Sequence, residues 1–528
     1  MMPGIKVSLM LPEKLRSMVI NIFHKKDLTI ICIIYLTVLI KSIYSARLGF
    51  DLLDEGEYLH IGLRILQGQI PYGDFFSYLP PLYDYWNVLA FKLFGVSAFS
   101  VRLLNSIIFS FVPVLFYLIA RRFSSSLIAL LISLSFGFME LGMERLYYHV
   151  LTFGSLYYYF TFLRGKKAGY GFLAGLLLGL AALFRLDVAL QFLLGLTIAT
   201  VLFCLNCFNK SVIKSVKLIT IIGIGFLIPL SGFVYWLFVH NLFDLFIQVS
   251  ITTPTNFAAA QEFPFPKPWN ILPQSLSPKD LFNSYEAFFV YLIMLVYLAG
   301  FYYLIKHWRY VWKKAPELPT FLLIAIFTTP YIFSRPDLGH MIKGGIPAFF
   351  IAAFILEKMR SKLKNSLLLI PIILIGVGIL QIIWWTNFYD VTIQTPNGII
   401  KTNSKAIKDT GMVSADTIRK SLDFISKNSV QDEQILIVPY MSGLYFLADR
   451  PSKLYVGNIY FGYIPDEKQF IQQLKLTNPK VIVYNHSYKP RGYVKSLHEF
   501  YPKIDQFIME NFKVMEQSPE GWLFMVRK

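Results

Sequence analysis

Apolar blocks of about 20 residues recur along most of this chain, and they restrict its fold more than any other feature. A helix rises about 1.5 Å per residue, so a block of this length can cross the hydrocarbon layer of a membrane. Such blocks are too long for the strands of a membrane barrel. The pattern therefore predicts about eleven membrane-spanning helices. They are expected at residues 28–47, 102–120, 125–141, 146–163, 168–184, 188–208, 216–238, 286–305, 318–334, 344–357 and 366–386.

Basic residues predict how these helices are oriented. Lys and Arg gather in every second loop, as with Arg121 and Arg122 after the second span, which is the positive-inside pattern. It places residues 1–27 in the cytoplasm and, with an odd number of spans, the carboxyl terminus outside. The net charge of +18 is spread over these loops and therefore does not indicate a nucleic-acid partner. We expect a multi-pass protein of the inner (plasma) membrane.

Three segments are predicted to lie outside the cytoplasm. Residues 49–101 form a first external loop with two amphipathic helices lying on the membrane. Residues 239–285 form a second large loop, which six prolines punctuate. From residue 390 to residue 528, short apolar strands alternate with amphipathic helices, as in a small water-soluble α/β domain. Residues 28–389 are then the membrane domain, and the soluble domain could bind an acceptor or act as a lid.

Ionisable residues near the membrane fall on the external side of this topology. Charge near hydrocarbon is costly, so such a gathering suggests a site that uses it. Asp54 and Glu55 directly follow the first span, and one of them could act as general base toward an acceptor hydroxyl. The alternative is that both acids only stabilise the start of the following helix, since acids favour helix amino termini.

Glu140, Glu144 and Arg145 occupy the predicted turn between the third and fourth spans. The two carboxylates lie four residues apart, on one face if the turn is helical, and could hold a divalent cation together with phosphate oxygens. A surface pair of glutamate and arginine is the alternative. No nucleotide-binding loop follows a predicted strand, so no nucleotide cofactor is expected.

Two Arg-x-Asp sequences lie at external helix ends. Arg185 and Asp187 follow the fifth span, while Arg335, Asp337 and His340 lie between the ninth and tenth. Arginine suits two-point binding of a phosphate group. The alternative is that each arginine pairs with its own aspartate and joins two loops.

Several of these residues sit in motifs with a familiar arrangement. The motifs are Asp54-Glu55, Gly68-x-x-Pro71-Tyr72-x-Asp74-Phe75, Pro80-Pro81-Leu82, Leu93-Phe94-Gly95, Arg102, Gly175-x-x-x-Gly179 before Arg185, and Ser334-Arg335-Pro-Asp337-x-x-His340. In these motifs the chain resembles the GT-C superfamily of polyprenyl-phosphate-sugar glycosyltransferases, near family 39 (protein mannosyltransferases and aminoarabinose transferases) and its bacterial relatives. The match covers the membrane region and, loosely, the external domain.

The resemblance implies a GT-C-like helical membrane domain and an inverting glycosyltransferase. The donor would be a sugar on a polyprenyl phosphate in the bilayer, and the acceptor an envelope glycan, glycolipid or protein. Asp54 would be the catalytic base, assisted by Glu55, while Arg185, Arg335, His340 and Arg145 would bind the donor phosphate. Further substrate-binding positions would be Tyr58, Asp74, Tyr83, Asp187 and Asp337. Tyr78 replaces the Lys that precedes the paired prolines in aminoarabinose-transferring relatives, which argues against that activity.

Two other classes of protein have many spans and a polar cluster. A transporter or lipid flippase usually places its coupling residues near the bilayer midplane, whereas the charges here lie at one face. A scaffold would use the soluble domain to bind partners and would not need Asp54, Arg185 and Arg335 on one side. A shared site for these three residues would favour the enzyme.

Overall fold

The computed structural model describes residues 25–139, 146–165, 167–207, 212–260, 263–275, 278–363, 368–406, 413–456, 466–489 and 495–528. Helices make up most of the first 388 residues. They are α1 Lys25–Ser45, α2 Asp54–Leu66, α3 Pro81–Phe94, α4 Ala98–Phe109, α5 Phe111–Ala120, α6 Ser126–Met139, α7 His149–Gly165, α8 Ala168–Ala182, α9 Leu186–Cys207, α10 Val212–Val239, α11 Phe243–Ala260, α12 Pro278–Lys306, α13 Trp308–Lys314, α14 Glu317–Thr328, α15 Pro330–Ser334, α16 Leu338–Leu363 and α17 Leu369–Phe388.

Every predicted span corresponds to a helix or to two consecutive helices. Within the described residues, eight helical segments are long and apolar enough to cross a membrane, and α6 and α8 are shorter apolar helices. The remaining predicted span is α7, which has 17 residues. The prediction of a multi-pass helical membrane protein is confirmed, whereas its orientation stays a prediction.

Glycines allow the backbones of α8 and α10 to approach closely. A Cβ built on Gly175 would lie 1.9 Å from the carbonyl oxygen of Ile222, and one on Gly225 would lie 2.2 Å from that of Phe172. Small residues commonly permit such close packing of helices in membranes. Gly175 and Gly179, which face α10 one turn apart, are therefore explained by packing.

Gly175→Ala is expected to destabilise the protein, because the added methyl group would force α8 and α10 apart. Overpacking of this kind costs about 1–3 kcal/mol. The measurement is the thermal midpoint of the detergent-solubilised protein. Gly223→Ala on α10 is the control, since its Cβ would meet no described atom within 4 Å. Equal midpoints for both variants would contradict the close packing.

The two long loops are more ordered than their sequences indicate. In the first loop, α2 and α3 are present as predicted, but every residue of α2 from Leu59 to Ile65 is buried. Its amphipathic pattern predicted one exposed face, whereas in the structure the soluble domain and α3 pack around it. The second loop contains a helix that was not predicted, α11, and a short 3-10 helix at Pro268–Ile271.

The carboxyl-terminal region is an α/β domain, as predicted. Its strands are β1 Val391–Thr395, β2 Gly398–Thr402, β3 Ile435–Val438, β4 Val481–Tyr484, β5 Phe512–Gln517 and β6 Leu523–Arg527. Its helices are α18 Ala415–Asn428, α19 Gly443–Leu447, α20 Glu467–Thr477, α21 Leu497–Phe500 and α22 Pro502–Asn511. β1 and β2 pair as a hairpin, and the other strands form a sheet in the order β3-β4-β6-β5. β3 and β4 are parallel and fully buried, which explains their continuous apolar sequences.

Candidate active site

Asp54 is the first residue of α2, directly after the link from the first membrane helix. Its carboxylate accepts a hydrogen bond from the hydroxyl group of Tyr440, which belongs to the soluble domain. Neighbouring acids bind the backbone of this turn: Asp51 accepts from the amide of Leu53 at 2.9 Å, and Glu55 accepts from the amide of Asp51 at 3.2 Å. These bonds hold the turn before α2; no side-chain hydrogen bond from the described residues caps the helix itself, and Asp54, Glu55 and Glu57 all lie in its first turn, where acids are favoured.

Glu55 points into the protein and pairs with Arg102 of α4. Two bonds of 2.5 and 2.6 Å join the guanidinium group to both carboxylate oxygens. Arg102 also donates to the carbonyl oxygens of Ala46 and Leu48, at 3.1 and 3.0 Å. Both side chains are buried, at 5% and 10% exposure. This geometry favours a role for Glu55 in holding the start of α2, beside Asp54, in place.

Arg185 lies in the connection between α8 and α9. Its guanidinium group binds both carboxylate oxygens of Asp187, at 3.0 and 2.7 Å, and donates to the hydroxyl of Tyr331 at 2.8 Å. Burial alone would lower the pKa of Arg185, but the Asp187 carboxylate and neighbouring groups raise it well above its usual value. Arg185 is therefore a permanent positive charge at this end of the helices.

Arg335, Asp337 and His340 form a second polar group at the start of α16. Arg335 donates to Asp337 at 2.5 Å, and His340 Nδ1 lies 3.0 and 3.1 Å from the two oxygens of the same carboxylate. Burial tends to raise the pKa of Asp337, but its bonds to His340 and the charge of Arg335 hold that pKa well below its usual range. The carboxylate is therefore ionised at neutral pH.

The two polar groups come together although they are far apart in the sequence. Tyr331 binds Arg185 through its hydroxyl, and its ring lies 6.3 Å from the ring of His340. Each arginine does pair with its own aspartate, as the alternative reading expected. The result is one cluster with two arginines, not two separate loop contacts.

Tyr58 links this cluster to the region of Asp54. It lies one turn after Asp54 on α2, and its hydroxyl is 2.5 Å from that of Tyr78. Its ring packs on Tyr83 at 4.8 Å between centroids. Tyr58 also lies close enough to Arg185 for an electrostatic interaction. The first two turns of α2 therefore lie near Arg185, whereas a substrate role for Tyr58 and Tyr83 stays a prediction.

Asp74 has a local structural partner. Its carboxylate accepts the backbone amide of Ile70 at 2.7 Å and closes the turn that contains Tyr72, whose φ is +68°. Side chains of this type commonly stabilise such turns. The predicted substrate role of Asp74 therefore has an alternative explanation.

The predicted metal ligands Glu140 and Glu144, and the predicted phosphate ligand Arg145, lie outside the described residues. Among the residues that are described, no group of three or more His, Cys, Asp or Glu side chains could hold a metal ion. The divalent cation remains a prediction that depends on Glu140 and Glu144 alone.

Sequence reasoning missed several residues of this region. Tyr331 and Tyr440 carry no signal of their own, since tyrosines are frequent throughout this chain. Lys343 lies one turn after His340 and close enough to Asp187 to interact electrostatically, and its three-residue spacing from His340 could have identified it.

Asp84 of α3 is 1% exposed and accepts a bond of 2.8 Å from Ser77. Burial raises the pKa of Asp84 to about 7, so this acid is partly protonated at neutral pH.

No protein-family model and no curated protein matches the sequence. Solved structures do resemble the fold. ArnT from Cupriavidus metallidurans in the apo state superposes with a TM-score of 0.54 at 14% identity, over 94% of this chain and 97% of ArnT. ArnT bound to undecaprenyl phosphate gives 0.52 at 13% identity, over 95% and 98% of the two chains. The Archaeoglobus fulgidus oligosaccharyltransferase in the apo form gives 0.47 at 12% identity, over 94% and 74%. The likeness to ArnT extends over both the membrane helices and the soluble domain, and this chain therefore has the GT-C fold, as its motifs predicted.

Proposed function

We propose that this protein is a membrane glycosyltransferase that moves a sugar from a polyprenyl-phosphate donor to an envelope acceptor outside the cytoplasm. The observation that carries the proposal is that Arg185 and Arg335, far apart in the sequence, lie in one polar cluster joined through Tyr331, while Tyr58, one turn after Asp54 on α2, interacts electrostatically with Arg185. Such a transfer needs a base to take the proton of the acceptor hydroxyl and positive charge to stabilise the leaving phosphate. The fold supports the choice of donor, because ArnT has been solved with undecaprenyl phosphate bound.

The chemistry follows from the charges. Asp54 would take the proton of the acceptor hydroxyl as its oxygen forms a bond to the anomeric carbon. The bond between that carbon and the phosphate oxygen breaks, and its electron pair stays on the lipid phosphate. The acceptor attacks opposite the leaving phosphate, so the anomeric configuration inverts. Arg185 and Arg335 would stabilise the negative charge that develops on the phosphate.

A lipid donor also explains the position of the cluster. Arg185 lies between α8 and α9, and Arg335 between α15 and α16, so both residues are at helix ends. A donor that diffuses in the bilayer would present its phosphate at this level. Transporters usually place their coupling residues near the midplane, often on broken helices. The described charges therefore give no support to the transporter alternative.

The test of this proposal is sugar transfer in membranes that contain the protein. Membranes would be supplied with a series of polyprenyl-phosphate sugars carrying radiolabel, together with envelope glycan, glycolipid and protein fractions as acceptors. Label on an acceptor, absent from membranes without the protein, is the expected result. Movement of labelled lipid between leaflets without any transfer would instead favour a flippase.

Arg335→Gln is expected to weaken donor binding and to lower kcat as well, because Arg335 would stabilise the phosphate both in the bound donor and as charge develops on it. Its side chain is 36% exposed, against 17% for Arg185, so Arg335 is the more accessible of the two to a bound phosphate. Loss of a hydrogen bond to a charged group corresponds to a rise of about 10- to 100-fold in the donor KM. Undecaprenyl phosphate binding measured without any acceptor should weaken in parallel. Arg309→Gln, an exposed arginine on α13, is the control, and equal KM values for the two variants would contradict this role.

A further inference from the structure

Backbone atoms of the soluble domain contact α2 and the residues just before it. The amide of Gly443 donates to the carbonyl oxygen of Leu52 at 2.9 Å, just before α2 begins. A Cβ built on Gly56 would lie 2.4 Å from the backbone of Gly443. These two backbone segments can approach this closely only because both residues are glycines. The first turn of α2, which carries Asp54, therefore rests directly on the soluble domain.

The attachment continues along one face of α2. His60 follows Gly56 by four residues and Arg64 follows His60 by four, so the three share a face. The amide of Ser452 donates to His60 Nε2 at 3.0 Å, and Arg64 donates to the carbonyl oxygen of Leu454 at 2.8 Å. His60 and Arg64 are 1% and 2% exposed.

His60 acts as a neutral acceptor in this contact. Burial, and then the charge of Arg64, lower the pKa of His60 well below its usual value. Its ring also stacks on Tyr445 of α19 with 4.6 Å between centroids. A lid would have to break these buried bonds each time it opened, at a cost for every polar group left unpaired. The contacts therefore describe a domain held in one position.

Tyr440 extends this contact to Asp54. It lies between the end of β3 and the start of α19, so the elements that bind α2 also set its position. Its hydroxyl donates to Asp54 Oδ1, across 386 residues of sequence. On the basis of the proposed function, we propose that the soluble domain is a fixed part of the active site and that Tyr440 is a positioning residue, which orients the Asp54 carboxylate toward the acceptor.

The test compares two tyrosines of the soluble domain that both bind residues of the first external loop. Tyr440→Phe removes the bond to Asp54, whereas Tyr455→Phe removes a bond of 2.9 Å to the carbonyl oxygen of Tyr72. Tyr440→Phe is expected to lower kcat about 10- to 100-fold, because small misplacements of a reacting group cost this much, with KM for the donor unchanged. Tyr455→Phe should keep the wild-type kcat, and both should keep the wild-type thermal midpoint.

A second comparison, in a protein that already carries Asp54→Glu, tests whether Tyr440 acts through Asp54. Asp54→Glu moves the carboxylate away from its bonded position, so adding Tyr440→Phe to it should cost less than about twofold in kcat. An unchanged kcat in Tyr440→Phe, or a full additional loss in the Asp54→Glu background, would overturn the positioning role while leaving the transferase intact. Absence of transfer by the wild-type protein would overturn the proposed function itself, and with it the role of Tyr440.

Discussion

Asp54→Asn is expected to slow sugar transfer about 10²- to 10⁴-fold, the usual contribution of a general base. The amide has nearly the same size as the carboxylate and can still accept the bond from Tyr440, but it cannot take the acceptor proton. The loss should therefore appear in kcat, with little change in KM for the donor. Transfer of labelled sugar, measured in membranes with matched protein levels, gives both constants.

Asp51→Asn provides the matched control for this variant. Asp51 lies three residues before Asp54, and its carboxylate accepts the amide of Leu53, a bond that an asparagine oxygen can replace. It should transfer sugar at the wild-type rate. Wild-type activity in Asp54→Asn would remove Asp54 as the base, and equal losses in both variants would instead indicate a damaged helix start.

Arg102→Met is expected to destabilise the protein by about 3–5 kcal/mol, the cost of removing one partner from a buried ion pair. The substitution leaves the buried Glu55 carboxylate without its two strongest bonds, and the carbonyl oxygens of Ala46 and Leu48 without a donor. The expected result is a lower thermal midpoint in detergent and less protein eluting as a single species from a sizing column.

Two further variants separate the ion pair from other effects of losing Arg102. Arg47→Met removes an exposed arginine between Ala46 and Leu48, the residues whose carbonyl oxygens Arg102 binds. This variant should leave the thermal midpoint close to that of the wild type. Glu55→Met combined with Arg102→Met removes both charges and should recover part of the loss, because no buried charge then remains unpaired. A double variant less stable than Arg102→Met would show that the charge pair is not the cause.

Much of the architecture was predictable from sequence because its constraints are local. The thickness of the membrane sets the length of each apolar block, which is why the spans at 28–47 and 366–386 correspond to α1 and α17. The alternation of short strands with amphipathic helices after residue 390 likewise indicated β3, β4 and α18. Helix α11 was missed because it lies in a segment whose prolines suggested an irregular loop.

The apolar blocks and the strand pattern were enough to predict a helical membrane protein with a soluble α/β domain, and the motifs indicated the GT-C fold and the residues of the candidate site. How those residues are paired became visible only in the folded chain. Glu55 lies beside Asp54 in sequence, yet it turns inward to Arg102, while Asp54 meets a tyrosine of the other domain. The periodicity of a helix shows which residues share a face, but the partner opposite that face depends on how distant segments pack. That packing joins Tyr440 to Asp54 and Tyr331 to Arg185, because buried polar groups must find bonding partners wherever the fold supplies them.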